Sequence, residues 1–164
     1  MSKLEETFLD ALEQNQQRLI RICSVYAKDA EDRKDLFQEV LVTIWQSMPS
    51  FQGKSSIGTW MYRITLNVCL GLQSRATKHR SRFIHMDNEA MGNLGGRDRV
   101  LEPHPRLDGL RSCIDKLNDA DKAIITLYLE ELPYKDISDI TGLSENNVAV
   151  KVMRIKTRLF NCLK

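Results

Sequence analysis

Apolar residues recur at helical spacing along most of this chain, and no stretch alternates apolar with polar at the period of two that a half-buried strand needs. The expected fold class is therefore all-α. From Leu4 to about Tyr26, residues Leu4, Phe8, Leu12, Leu19, Ile22 and Tyr26 mark one or two amphipathic helices. A second helix is expected from about Ala30 to Met48, with Asp29 as N-cap and Glu31 and Asp32 in the first turn, and Pro49 ends it. The polar turn Ser50 to Ser56 leads to a third helix from about Ile57 to Ser74, whose expected apolar stripe is Trp60, Met61, Ile64, Val68 and Leu72. That stripe makes Trp60 a core residue.

Residues 83–106 carry scattered Gly, two Pro and no sustained apolar face. A loop inside a compact domain seldom exceeds ~12–15 residues, so this segment reads as a flexible linker between two small helical domains, 1–82 and 107–164. After it, helices are expected at Leu107 to Leu117, Asp121 to Leu132, Tyr134 to Ile140 and Ser144 to about Cys162.

The net charge of +2 conceals a segregated distribution. Residues 54–82 carry six basic and no acidic side chains, and residues 143–164 carry five basic and one acidic. The segments preceding them are acidic: residues 1–53 hold six basic against nine acidic groups, and residues 107–142 hold four against eight. Two basic segments imply two places where the protein meets a polyanion, with acidic surfaces left for another partner.

Several function classes are not supported. Cys23, Cys69, Cys113 and Cys162 lie far apart without a Cys-x-x-Cys pair or a histidine at zinc-ligand spacing, so no metal site is expected; each is read as a reduced thiol in a small apolar position, and the sequence leaves a redox pair among them open. No cofactor is expected either: there is no Walker-type or Gly-x-Gly-x-x-Gly loop. Ser112, His79, His85 and His104 have no catalytic context, and the protein is read as a non-enzyme. No apolar run approaches the ~20 residues of a membrane span, and the acidic, amphipathic start MSKLEETFLDALEQ is unlike a secretion signal. The expected location is cytoplasmic, without membrane insertion.

The segment from Tyr134 to Val148 has the form of a helix-turn-helix. Pro133 suits a helix start, Gly142 supplies the positive φ of the turn, Leu143 packs into the angle, and Ser144 caps the second helix. Val148, Val152 and Ile155 are expected to face the core. Asn146, Asn147, Lys151, Arg154 and Arg158 then share the outer face, combining amides that read base edges with cations that seek phosphates.

Residues 29–69 strongly resemble region two of bacterial sigma factors of the extracytoplasmic-function group, within the sigma-70 family. The resemblance rests on Asp-Leu-Phe-Gln-Glu-Val at 35–40, Phe-x-Gly at 51–53 and Thr-Trp-x-Tyr-Arg-Ile-x-x-Asn at 59–67. Residues 110–160 resemble region four of the same group, the helix-turn-helix above. The resemblance implies an alternative sigma factor that binds core RNA polymerase, recognises two promoter elements and opens the DNA. By position it assigns Asp35, Leu36, Gln38 and Glu39 to the β′ clamp helices of the polymerase. It assigns the turn from Phe51 to Ile57, with Asn67, to capture of a base flipped from the -10 element. Lys54, Arg63, Arg75, Lys78 and Arg80 would then follow the separated strand, and Ser144 with the outer face of the last helix would read the -35 element. The implied partners are core polymerase, through β′ clamp helices and β flap, promoter DNA, and an anti-sigma factor.

Three positions depart from the family pattern. Gly71 and Gly58 each weaken a helix, by up to ~1 kcal/mol relative to Ala, so a bend after Asn67 is expected, and Ile155 stands where Ala is common. Two other readings compete. A conventional helix-turn-helix regulator would need an N-terminal sensing domain in place of residues 29–69, and a helical enzyme or scaffold would need turnover that no residue here suggests.

Overall fold

The computed structural model of the chain describes residues 2–79 and 105–164, without the side chains of residues 72–79 and 105–107; of the linker expected at 83–106, residues 83–104 lie outside what it describes, and 105–106 already belong to a helix. Among the described residues every regular element is helical. The chain divides into two compact units, the second beginning at Glu102.

In the first unit, α1 (Lys3–Tyr26), α2 (Ala30–Ser47) and α3 (Ile57–His79) pack pairwise, with a 3₁₀ turn at Met48–Ser50 between α2 and α3. The expected Asp29 cap forms. Asp29 accepts from the Asp32 N–H at 2.8 Å, and Asp32 in turn accepts from the Lys28 N–H at 2.8 Å, so two otherwise orphaned donors are satisfied at the start of α2. Ser56 Oγ accepts from the Thr59 N–H at 3.1 Å and caps α3. α1 reaches the core only from Ala11 onward, through Leu19, Ile22, Cys23 and Tyr26, whereas Leu4 and Leu9 stay exposed.

The buried face of α3 differs from the expected stripe. Met61, Tyr62, Thr65, Leu66 and Cys69 turn inward, while Trp60, Ile64 and Val68 are only half-buried. Each polar member of the inner face has a partner. The Tyr62 hydroxyl donates to Asn15 Oδ1 and accepts from Arg18 at 3.2 Å, Thr65 Oγ1 donates to the Met61 carbonyl at 2.8 Å, and Cys69 hydrogen-bonds to Cys23. That bond and the burial around it raise the Cys69 thiol far above the ordinary thiol range, so it stays protonated. α3 runs through Gly71 to His79, and Gly71 does not end it.

In the second unit, α4 (Pro105–Asp115), α5 (Asp119–Leu129), α6 (Tyr134–Thr141) and α7 (Glu145–Leu163) surround one core. α5 is buried without interruption from Ala123 to Leu127, and α7 packs against each of the other three helices. α7 contributes Val148, Val152, Ile155 and Leu159 at helical spacing, so Ile155 is a well-packed core residue. One sequence expectation is overturned: Cys113 and Cys162 are not two reduced thiols but a disulfide, with Cα atoms 6.0 Å apart, joining α4 to the last turn of α7. Cys23 and Cys69 are free and buried.

A crosslink spanning 49 residues restricts the unfolded chain, which typically stabilises the folded state by ~2–4 kcal/mol. Cys162→Ser is accordingly expected to lower the protection of α4 and α7 amides against hydrogen exchange by about that amount, leaving α1 to α3 unchanged. Equal protection in the variant would show that packing alone holds α4 in place.

Candidate nucleic-acid and polymerase interface

Three surfaces carry the residues singled out in the sequence. The first is a ridge on α2. Asp35, Gln38 and Glu39 are exposed and neighbouring at i, i+3 and i+4. Leu36 does not belong to that surface: it is 7% exposed and turned into the core, where it supports the ridge from beneath. The same face continues with two apolar residues that the sequence reading passed over, Val42 (50% exposed) and Trp45 (39% exposed). The Trp45 ring stands edge-on to Phe8, with centroids 5.3 Å apart. An acidic, amide-bearing ridge ending in an aromatic platform has the mixed composition of a protein-binding surface.

The second surface lies along α3 and the turn before it. Gly53 adopts φ +71°, a conformation that any residue with a Cβ resists, and the chain thereby brings Phe51 back over α3. There the Phe51 ring meets Trp60, with centroids 5.0 Å apart. Trp60 is thus the partner of Phe51 and not part of the buried stripe. Trp60, Arg63 and Asn67 follow at i, i+3 and i+7, one face of the helix, and Arg63 and Asn67 are exposed. The arrangement is a half-exposed aromatic pair followed by a cation and an amide. Lys54 is exposed at the tip of the turn. Arg75 and Lys78 lie on the α3 backbone farther along, their side chains outside the described residues, as is Arg80 altogether. The spacing of Trp60, Arg63 and Asn67 was the sequence signal that could have placed Trp60 on the outer face.

The third surface is α7. Gly142 takes φ +82° and donates its N–H to the Ser138 carbonyl at 2.8 Å, closing α6. The Ser138 hydroxyl donates to the Leu143 carbonyl, which fixes the turn from inside. Ser144 then accepts from the Asn147 N–H at 3.1 Å, so it caps α7 as expected. Asn146, Asn147 and Arg154 are exposed, and Lys151 is half-buried. Arg158 is on the expected face but its guanidinium reaches Asp121 of α5 at 3.4 Å. Lys156 lies over the Tyr128 ring, 4.5 Å from its centroid, and a hydrogen bond to Tyr128 raises its pKa. These attachments leave Lys151 and Arg154 as the cations on the first three turns of α7.

No group of His, Cys, Asp and Glu among the described residues could hold a metal ion, and no described helix is long and apolar enough to cross a membrane.

A capped helix with amides and cations on its outer face, in a chain that also carries a separate helical unit with an aromatic, cationic and amide stripe, defines a helix-turn-helix protein of transcription. Residues 11–79 match the family description Sigma-70 region 2, and residues 107–159 match Sigma-70, region 4. The chain is 28% identical over 151 residues to the RNA polymerase sigma factor SigV of Bacillus subtilis, covering 92% of this chain and 82% of that one. It is 38% identical over 141 residues to the ECF RNA polymerase sigma factor SigG of Mycobacterium tuberculosis, covering 83% of this chain but 36% of that longer one. Among solved structures, the sigma factor RpoE in complex with the anti-sigma factor NepR from Bartonella quintana has a similar fold, with TM-score 0.73 at 19% identity, covering 96% of this chain and 97% of that one. CnrH in complex with the cytosolic domain of CnrY gives 0.68 at 16%, covering 97% and 88%. The chain belongs to the sigma-70 family of RNA polymerase sigma factors, in its extracytoplasmic-function (ECF) group, and is an alternative sigma factor directing transcription initiation.

The turn and cap of the helix-turn-helix set the first stability test. Ser144→Ala is expected to cost ~1 kcal/mol through the lost cap. Gly142→Ala is expected to cost ~1–2 kcal/mol because its φ stays positive. Denaturant unfolding of the full chain measures both, and an unchanged midpoint for either would mean that the turn relaxes around the substitution.

Proposed function

We propose that the two units divide the work of promoter recognition, with residues 1–82 docking on core polymerase and opening DNA at the -10 element, and residues 107–164 reading the -35 element. The observation that carries this is the Phe51–Trp60 pair at the head of the Arg63 and Asn67 stripe. Extruding a base from a duplex costs a few kcal/mol, and stacking on an aromatic surface returns roughly 1–3 kcal/mol per base. An amide on the same face can then hydrogen-bond the base edge, while Arg63, Lys54, Arg75, Lys78 and Arg80 meet the phosphates of the opened strand.

On α2, Asp35, Gln38 and Glu39, with Val42 and Trp45 at the end of the ridge, form the surface offered to the β′ clamp helices. In the second unit, Asn146, Asn147, Lys151 and Arg154 enter the major groove, and Ser144 presents the helix N-terminus to a phosphate. Arg158, engaged with Asp121, steadies the helix and shares less in DNA contact. The β flap is a further polymerase partner. The bound anti-sigma factor in the RpoE structure supports a regulatory partner of that kind. The chain contributes no catalytic group in this scheme, since the polymerase performs the chemistry, and it acts in the cytoplasm.

Two measurements test the scheme. Asp35→Arg or Glu39→Arg is expected to weaken association with core polymerase at least tenfold while circular dichroism stays unchanged, because both positions are exposed; undiminished association would remove the ridge from the interface. Phe51→Ala and Asn67→Ala are expected to leave promoter association by the holoenzyme within a fewfold of the parent, yet to suppress permanganate reactivity of unpaired thymines. Variants that melt a promoter as well as the parent would show that the Phe51 loop only packs against α3.

A further inference from the structure

α7 presents a third face that neither its core nor its cations explain. Successive residues turn by about 100°, which places Asn146, Val150 and Met153 together, nearly opposite the buried Val148, Val152 and Ile155 and beside the Asn147, Lys151 and Arg154 stripe. Val150 is 39% exposed and Met153 69% exposed, so neither serves the core of the unit. Both are flanked by amides and cations suited to a polyanion, which makes nucleic acid the occupant favoured by charge.

We propose that Val150 and Met153 read the 5-methyl groups of thymines in the major groove, and so determine sequence preference at the upstream promoter element. The inference rests on the proposed entry of α7 into that groove. Thymine differs from cytosine there by its methyl and by an acceptor in place of an amino donor. An apolar side chain can bury the methyl but leaves the cytosine amino group without a partner, so it discriminates by attraction to one base and by desolvation of the other. Reach agrees with this. From Asn146 to Met153 the helix advances about 10 Å, within a groove about 12 Å wide. Phe160, exposed on the same face, lies about 10 Å farther on and outside that span. Val150 has a single stiff side-chain torsion and suits one fixed methyl, whereas Met153 can adapt to a second.

The test removes the methyl and nothing else. The holoenzyme, formed from the full chain and core RNA polymerase, selects preferred duplexes from a randomised library, and each thymine of the selected upstream element is replaced in turn by deoxyuridine. For the parent, affinity is expected to fall about fourfold at one or two thymines, the worth of one buried methyl. Val150→Ala and Met153→Ala are each expected to abolish the loss at one of those thymines, and they leave the protein folded because both side chains are exposed. Lys151→Ala serves as the contrasting variant, weakening thymine and uracil probes alike. Equal binding of thymine and uracil duplexes by the parent would overturn the proposal. So would Val150→Ala and Met153→Ala variants that keep the methyl sensitivity, or that weaken association with core polymerase while DNA binding is unaffected, which would make the face a protein contact. If binding also fails to respond to salt or to Lys151→Ala and Arg154→Ala, the placement of α7 in DNA is itself wrong; methyl insensitivity with the salt response intact removes only the present inference.

Discussion

Gly58 has no side chain, and α1 takes the space that one would fill. A Cβ at this position would stand 3.0 Å from Asn15 Oδ1 and 3.4 Å from the Tyr62 hydroxyl, tighter than side chains ordinarily pack. The approach allows the Asn15, Tyr62 and Arg18 contacts to form, and these set the rotation of α3 about its own axis. Once Tyr62 faces α1, the geometry of the helix leaves Trp60, Arg63 and Asn67 outward. The glycine that the sequence suggested as a weak helix start is therefore where the helix is fixed. Its cost in helix propensity, up to ~1 kcal/mol, is offset by the contacts that it permits.

The same rotation explains what the sequence did and did not disclose. Elements governed by neighbours in the chain were legible: Asp29 and Ser144 as caps, Gly142 as the turn, and Val148, Val152 and Ile155 as an inner face. The α3 stripe was misplaced because apolarity was used as the sign of burial. Tyr62, Thr65 and Cys69 carry polar atoms, but each finds a partner inside, so the usual penalty for burying them does not arise. Trp60, the largest apolar side chain on the helix, goes instead to the outer face, where Phe51 covers part of it. Leu36 was misjudged for the opposite reason, as the one residue of a surface motif whose phase on α2 points inward.

The disulfide lay beyond such reasoning altogether, since four cysteines permit three complete pairings and spacing does not choose among them. It is chosen by the packing of the second unit, which brings the end of α7 beside α4. Cys113 and Cys162 are bonded there, while Cys23 and Cys69 remain free, hydrogen-bonded thiols in the other core.

These attachments give α7 two different halves. Toward its end, Arg158 reaches Asp121, Lys156 lies on Tyr128, and Cys162 is bonded to Cys113. Toward its start, the helix is held by its cap and by one buried face, and its remaining side chains are left outward. A helix of 19 residues is about 28 Å long, more than twice the width of a major groove, so only part of it can be occupied by bases. The longer part anchors the orientation of the shorter. Anchoring matters because a hydrogen bond weakens steeply when its angle departs from linearity. A recognition helix free to pivot would keep its attraction for phosphates, which depends little on orientation, and would lose its preference among bases. Rigidity at the far end of α7 is thus a condition for specificity at the near end.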